Sequence, residues 1–200
     1  MIEIRWAQLE DTRDLGFVHS ESYRKAYKEI IPDEYLEQYT PVVRERYFYN
    51  TLVQGTEQIA VILVDNKIVG CMLLKACNDD DLQDDSGEIS AIYLLQNYIG
   101  MGLGKQFLNW GLEKLKELGF GSVVLWVLKE NKRAIRFYER QEFVYDEKER
   151  LIFRGMNLLQ LRSLALHKIS VYTKVNIQKM GFFGEIQKVE QPLKVVLPFG

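Results

Sequence analysis

The chain is short of the residues that build disulfide-stapled or metal-centred folds. It carries 2 cysteines, 2 histidines and 4 prolines in 200 residues. Cys71 and Cys77 fall on what reads as a single strand, about 20 Å apart at strand rise, too far to bridge each other. With no third thiol, a reducing compartment is the default and the expected location is cytoplasmic. No Cys/His grouping has zinc spacing, so no metal is expected. No apolar run approaches the roughly 18 residues that would cross a membrane. The opening M-I-E-I-R-W lacks the charged-then-apolar pattern of an export signal. A net charge of −2 leaves no basic excess for nucleic acid.

What the chain has is core. Apolar residues make up 47% of it, enough for one well-buried domain. Ile2, Ile4 and Trp6 alternate with charges as a strand does. Asp11 or Thr12 can cap a helix to about Lys28, with Leu15, Val18, Ser22 and Ala26 inward. Pro32 opens a short second helix and Pro41 a third, to about Val53. Residues 57–65 and 67–77 are apolar runs around an Asp65-Asn66 hairpin turn. Residues 78–87 form an acidic loop, read as solvated, with attraction for a cationic amine as the alternative. A strand over 88–96, a helix over 103–118, a buried strand over Ser122–Leu128 and a helix from Asn131 to about Arg140 follow. Strands at 142–145 and 158–164 complete the core. Residues 167–200 read as an extension that packs on the sheet edge or on another copy of the chain, as in a homodimer.

The chain is organised around E-I-S-A-I-Y-L-L-Q-N-Y-I-G-M-G-L-G-K, residues 88–105. It runs strand, glycine loop, helix. Glycines bare their backbone N–H groups and a helix N-terminus is electropositive, so the unit suits a phosphate-bearing ligand. The nucleotide P-loop fails here, because Gln106 follows Lys105 and Ile99 stands where its first glycine belongs. The dinucleotide fingerprint fails at Lys105, and the next strand has no acid. The acyl-CoA loop [Q/R]-x-x-G-x-[G/A] fits over 99–104.

On these residues, together with N-K-R-A-I-R-F-Y at 131–138, the chain resembles the GNAT superfamily of acetyl-CoA-dependent N-acetyltransferases over roughly residues 3–162. The resemblance implies an α/β fold: a mixed, mostly antiparallel sheet splayed between its central strands and flanked by helices. It implies acetyl-CoA as cosubstrate and direct transfer to a small-molecule or peptide amine in a ternary complex. Gly100, Met101, Gly102, Leu103, Gly104 and Lys105 would present amides to the pyrophosphate. Ile92, Tyr93 and Leu94 would pair their backbone with the pantetheine arm. Asn131 would touch that arm, or act only as a helix cap.

Acetylating an amine calls for a base, an oxyanion donor and an acid for the leaving thiolate. Glu88 lies eleven residues before the loop, where the family's histone acetyltransferases place a glutamate base; the bland alternative is an exposed residue closing the acidic loop. Tyr138 matches the family tyrosine that protonates the thiolate; the alternative is a core tyrosine. Trp126 stands where other members place an acid on the next strand. Tyr23, Tyr27, Tyr35 and Tyr39 hint at an aromatic acceptor pocket. Two departures stand out: Ile99 replaces a Gln or Arg, and Glu142 replaces the glycine of a G-F pair. The contrasting reading is a CoA-binding sensor or interaction module without catalysis.

Overall fold

A computed structural model describes residues 1–83 and 85–166. The extension expected over 167–200 lies outside the described residues. In chain order the elements are β1 (Ile2–Trp6), α1 (Thr12–Tyr27), α2 (Asp33–Leu36), α3 (Pro41–Gln54), β2 (Gln58–Val64), β3 (Lys67–Ala76), β4 (Ser86–Leu94), α4 (Leu103–Glu117), β5 (Ser122–Leu128), α5 (Lys132–Glu139), β6 (Val144–Phe153) and β7 (Asn157–Leu166). The strands form a 7-stranded sheet in the order β1-β2-β3-β4-β5-β7-β6. Each neighbouring pair is antiparallel except β4 with β5, which is parallel.

Both faces of the sheet are covered, which is why β2, β3 and β5 read as nearly unbroken apolar runs. On one face Met72, Leu74, Ile89, Val123 and Leu125 meet Phe107, Leu108 and Leu115 of α4. On the other, Ile59, Val61, Cys71 and Leu73 meet Leu15 and Val18 of α1 and Phe48 of α3. Each fully buried Leu or Phe in these layers is worth about 1.5–3 kcal/mol. Helices α1 and α3 cross tightly at Gly16, where an added Cβ would stand 2.6 Å from the Pro41 carbonyl oxygen.

The turn chemistry follows the sequence. Asp65 and Asn66 are both left-handed, at φ 48° and 64°, as the hairpin requires. Gly119, at φ 95°, ends α4. Its N–H bonds Lys116 and the Phe120 N–H reaches back to Leu115 at 3.1 Å, a Schellman closure.

Three expectations are corrected. Ala26 is exposed; the inward stripe of α1 runs instead through His19 and Tyr23. The strand expected at 142–145 begins at Val144 and continues to Phe153, hairpinning with β7. The acidic loop is not simply solvated. Arg162, 3% exposed, holds Asp81 through two hydrogen bonds of 2.7 and 2.8 Å and Asp79 through one of 3.1 Å. Asp146 closes the network at 2.8 Å from Arg162 Nε. These carboxylates neutralise a buried guanidinium and are already paired.

Candidate active site

The site is a gap in the sheet. Strands β4 and β5 pair only at Ser86↔Ser122, Gly87↔Val123 and Glu88↔Val124. The Ser86 and Ser122 hydroxyls, 2.8 Å apart, pin the closed end. Beyond Glu88 the strands separate. Ile92, Tyr93 and Leu94 stay paired with Met72, Cys71 and Gly70 of β3, so their other edge faces the gap unpaired. Such an edge can accept an extended amide-bearing chain. The β3–β4 register shifts between Leu73 and Leu74, and Ser90 bulges out of the ladder.

The glycine loop lies between the open strand and α4. Gly100 and Gly102 have φ of 88° and 79°, a backbone that only glycine adopts cheaply. The first bond into α4 runs from Gln106 N–H to the Gly102 carbonyl. Among the described residues, the amides of Gly100, Met101, Gly102, Leu103, Gly104 and Lys105 donate to no protein acceptor. Six consecutive free donors at the N-terminus of a 15-residue helix form an anion cradle.

Glu88 is the last paired residue before the gap. It is buried, at 7% exposure, which removes the reading of an exposed loop-closing carboxylate. Burial raises its carboxyl above the ordinary value, against the pull of the Lys75 ammonium 3.4 Å away. Across the gap, Asn131 caps α5 by accepting from the Ala134 N–H at 3.1 Å. Its side chain also lies beside the hydroxyl of Tyr27. Tyr138 packs edge-on against Phe137 and Phe143. Burial, with the nearby Tyr27, pushes its phenol well above the usual value, so it keeps its proton.

Glu142, the second departure, sits at φ 65° where α5 ends. The Phe143 N–H closes onto Tyr138 at 3.1 Å and the Glu142 N–H onto Glu139 at 3.1 Å. A side-chain-bearing residue thus occupies the left-handed position of a closure that ordinarily takes glycine.

An open cleft adjoins the gap on the α1–α3 face. Tyr23, Tyr27, Tyr39, Tyr47, Tyr93 and Trp126 supply aromatic wall. Of the four tyrosines singled out in the sequence, Tyr23, Tyr27 and Tyr39 line this cleft, whereas Tyr35 accepts from Arg154 at 3.5 Å. Tyr23 and Tyr39 stack at 4.2 Å. Sequence reasoning missed the polar wall: Glu57, Ser90, Arg44 and Arg154 line the cleft, and Glu88 does not. Glu57 accepts from the Tyr47 hydroxyl at 2.8 Å and from Ser90 Oγ at 3.3 Å. Nothing local marks Glu57, which simply precedes a strand. Arg44 did carry a signal: it shares a 44–48–51 stripe with the buried Phe48 and Thr51, a charge on an inward face. Trp126, in place of an acid, donates to Asp79 at 3.1 Å and carries the Arg150 guanidinium 4.1 Å over its ring.

Comparison with known proteins agrees with this geometry. Residues 21–143 match the model of the Acetyltransferase (GNAT) family. The chain is 33% identical over 141 residues to YuaI, an uncharacterized N-acetyltransferase of Bacillus subtilis, covering 70% of this chain and 78% of that one. It is 25% identical over 154 residues to a spermidine N(1)-acetyltransferase of Thermoplasma acidophilum, covering 73% and 90%. The PaiA N-acetyltransferase of that organism, solved with coenzyme A, superposes with a TM-score of 0.68 at 22% identity over 84% of this chain and 99% of that one. The ribosomal-protein-S18-alanine N-acetyltransferase of Escherichia coli gives 0.63 at 14%, over 86% and 98%. The chain belongs to the GNAT family of N-acetyltransferases and is an acyltransferase.

Proposed function

We propose that the protein transfers an acetyl group from acetyl-CoA to a primary amine by direct attack in a ternary complex. The observation that carries this is the juxtaposition of the free amides of residues 100–105 with the unpaired edge of Ile92, Tyr93 and Leu94. One suits a pyrophosphate and the other an amide-bearing arm, and coenzyme A has both in one molecule. The PaiA neighbour was solved with coenzyme A. Relatives named for spermidine and for a ribosomal-protein alanine both act on amines.

The chemistry then divides among this chain's residues. The neutral amine attacks the thioester carbonyl; a C–N bond forms and the C–S bond breaks. Glu88, directly or through one water, takes the proton the nitrogen loses. Tyr138 gives its proton to the departing sulfur. Glu57 supports a second reading of the base, because it lines the cleft and Glu88 does not. The bonds formed and broken are the same under either assignment; only the proton acceptor differs.

The test is thiol release from acetyl-CoA with a panel of primary amines, alongside calorimetric binding of CoA. Amine-dependent release supports transfer. Tight CoA binding with no release for any amine would make the protein a CoA-binding module instead.

A further inference from the structure

The acceptor cleft holds two arginines that the transfer chemistry does not use. Arg44, on α3, lines it from one side. Its guanidinium lies 4.0 Å over the Tyr47 ring, 5.2 Å from the Phe48 centroid and 5.7 Å from the Tyr39 centroid. Among the described residues, its only polar contact is Nη2 to His19 Nε2 at 3.4 Å, and its buried Nε has no partner. Arg154, just past β6, lines the cleft from the other side and, among the described residues, reaches only the Tyr35 hydroxyl at 3.5 Å and the Phe153 carbonyl at 3.2 Å. Tyr39 lies between the two: Arg44 is near its ring and Arg154 near its hydroxyl. Among the described residues, neither arginine forms an ion pair with a carboxylate.

Two arginines that the protein completes internally are held differently. The buried Arg162 has three aspartates, and Arg5 has Asp11 at 2.6 Å. Arg154 is half-buried, but Arg44 buries its Nε, and a guanidinium nitrogen drawn out of water without an acceptor is costly unless a ligand completes it. His19 beside Arg44 does not complete it. Burial and the neighbouring charge bring the imidazole down to about 3, so it is neutral at ordinary pH. Among the described residues, the one carboxylate lining the cleft is Glu57, engaged by Tyr47, by Ser90 and by the Lys75 ammonium 3.9 Å away. Tyr47 separates the charges: Arg44 rests on its ring and its hydroxyl donates to Glu57. The cleft is therefore bipolar, anionic beside the bulged Ser90 and cationic a tyrosine's length away. Its volume is about 240 Å³, room for a compact group.

We infer that Arg44 and Arg154 bind an anionic group, a carboxylate, carried by the acceptor, so that the substrate is an amine with an acid a few bonds away and not a polyamine. This rests on the acetyl-transfer reading above and narrows it. Guanidinium forks match carboxylates in shape and charge. Two unpaired cations repel a polycation such as spermidine, so the cleft differs in selectivity from the spermidine enzyme to which the chain is 25% identical. The amine end of the acceptor would lie by Glu57 and Ser90, at the mouth of the gap.

The test titrates matched probes into the full-length protein saturated with CoA. One trio is phenylalanine, phenethylamine and hydrocinnamate; a smaller one is alanine, ethylamine and propionate; spermidine is the polycation. The acids and amino acids bind, and each amine lacking its carboxylate binds at least about 10-fold more weakly. Arg44→Met weakens the acid-bearing probes by about 10- to 100-fold, the range of a charge-assisted hydrogen bond, and leaves phenethylamine unchanged or tighter. Arg44→Lys recovers part of the loss, and Arg154→Gln weakens the same probes independently should the Arg44 variants fail to fold. Spermidine or phenethylamine binding more tightly than the acids overturns the inference. So does unchanged acid binding in folded Arg44→Met and Arg154→Gln. Acetylation is followed on the same probes. Acids bound through the arginines with no amine acetylated would leave the anion site standing and remove the transfer reading. Acetylation of spermidine but of no amino acid would do the reverse.

Discussion

Glu88 and Tyr138 occupy environments that push both groups toward holding protons, by the same cause. Burial raises the Glu88 carboxyl and the Tyr138 phenol alike. For a base this means greater basicity, provided it is still ionised at the working pH; for an acid it means the proton is in place when the sulfur leaves. The pH consequence follows in sign. Transfer through Glu88 requires its ionised form, so kcat/KM falls as pH drops through the raised carboxyl value, above the ordinary 4.5. Glu88→Gln should lower the rate most in the window above that raised carboxyl value, where Glu88 is ionised and the amine still mostly protonated, and least near the amine's own pKa. Tyr138→Phe should slow thiolate departure and leave CoA affinity nearly intact, because the ring still packs on Phe143. Each effect should be about 10²- to 10⁴-fold. The measurement is kcat/KM against pH for wild type, both variants and Glu57→Gln. A wild-type profile in Glu88→Gln with a collapsed one in Glu57→Gln would move the base to Glu57.

At the scale of elements, the end of α5 shows what a departure from the family pattern costs. Glu142 is left-handed at φ 65°, a conformation that costs an ordinary L-residue roughly 1–2 kcal/mol. Glycine avoids that cost but frees the unfolded chain by about 0.5–1 kcal/mol. Glu142→Gly should therefore stabilise by roughly 0.5–1 kcal/mol, read as a rise of about 1–4 °C in Tm at this chain length. A fall in Tm would mean that the Glu142 side chain makes a contact worth more than the strain. Elsewhere the loop between β3 and β4 shows a charged segment used structurally. Its aspartates converge on Arg162, and Trp126 donates to one of them. The loop is thereby fastened across β5, which borders the gap, and its neighbour β7.

For the whole molecule, cosubstrate binding should appear as stability. A ligand that binds only the folded state at about 100 times its Kd adds roughly 2.7 kcal/mol. That corresponds to about 5–10 °C in Tm for a chain of this size. CoA and acetyl-CoA should produce the shift in a thermal melt. Gly102→Val should abolish it, because a β-branched residue at φ 79° strains the loop that offers the amides. Stabilisation by ATP or NADH alone, with none by CoA, would contradict the acyl-CoA site.

The local devices were legible in the sequence because their causes are local. Period-two and period-3.6 apolar patterns, the Asp65-Asn66 turn, the glycine loop and the Asn131 cap each depend on residues within a few positions of one another. Together with the 131–138 motif they were enough to indicate the family and its fold. The sequence also placed Glu88 and Tyr138 as candidates, but only by resemblance. That β4 and β5 pair at three residues and then part was decided by the assembled sheet, since no local signal says where two strands 36 positions apart will lose their hydrogen bonds. The cleft beside the gap was decided there too. Arg44, Glu57 and Arg154 come from a helix, the start of a strand and the end of a hairpin. Their shared chemistry arises from burial and charge placed across long sequence separations, which patterning by neighbours does not encode.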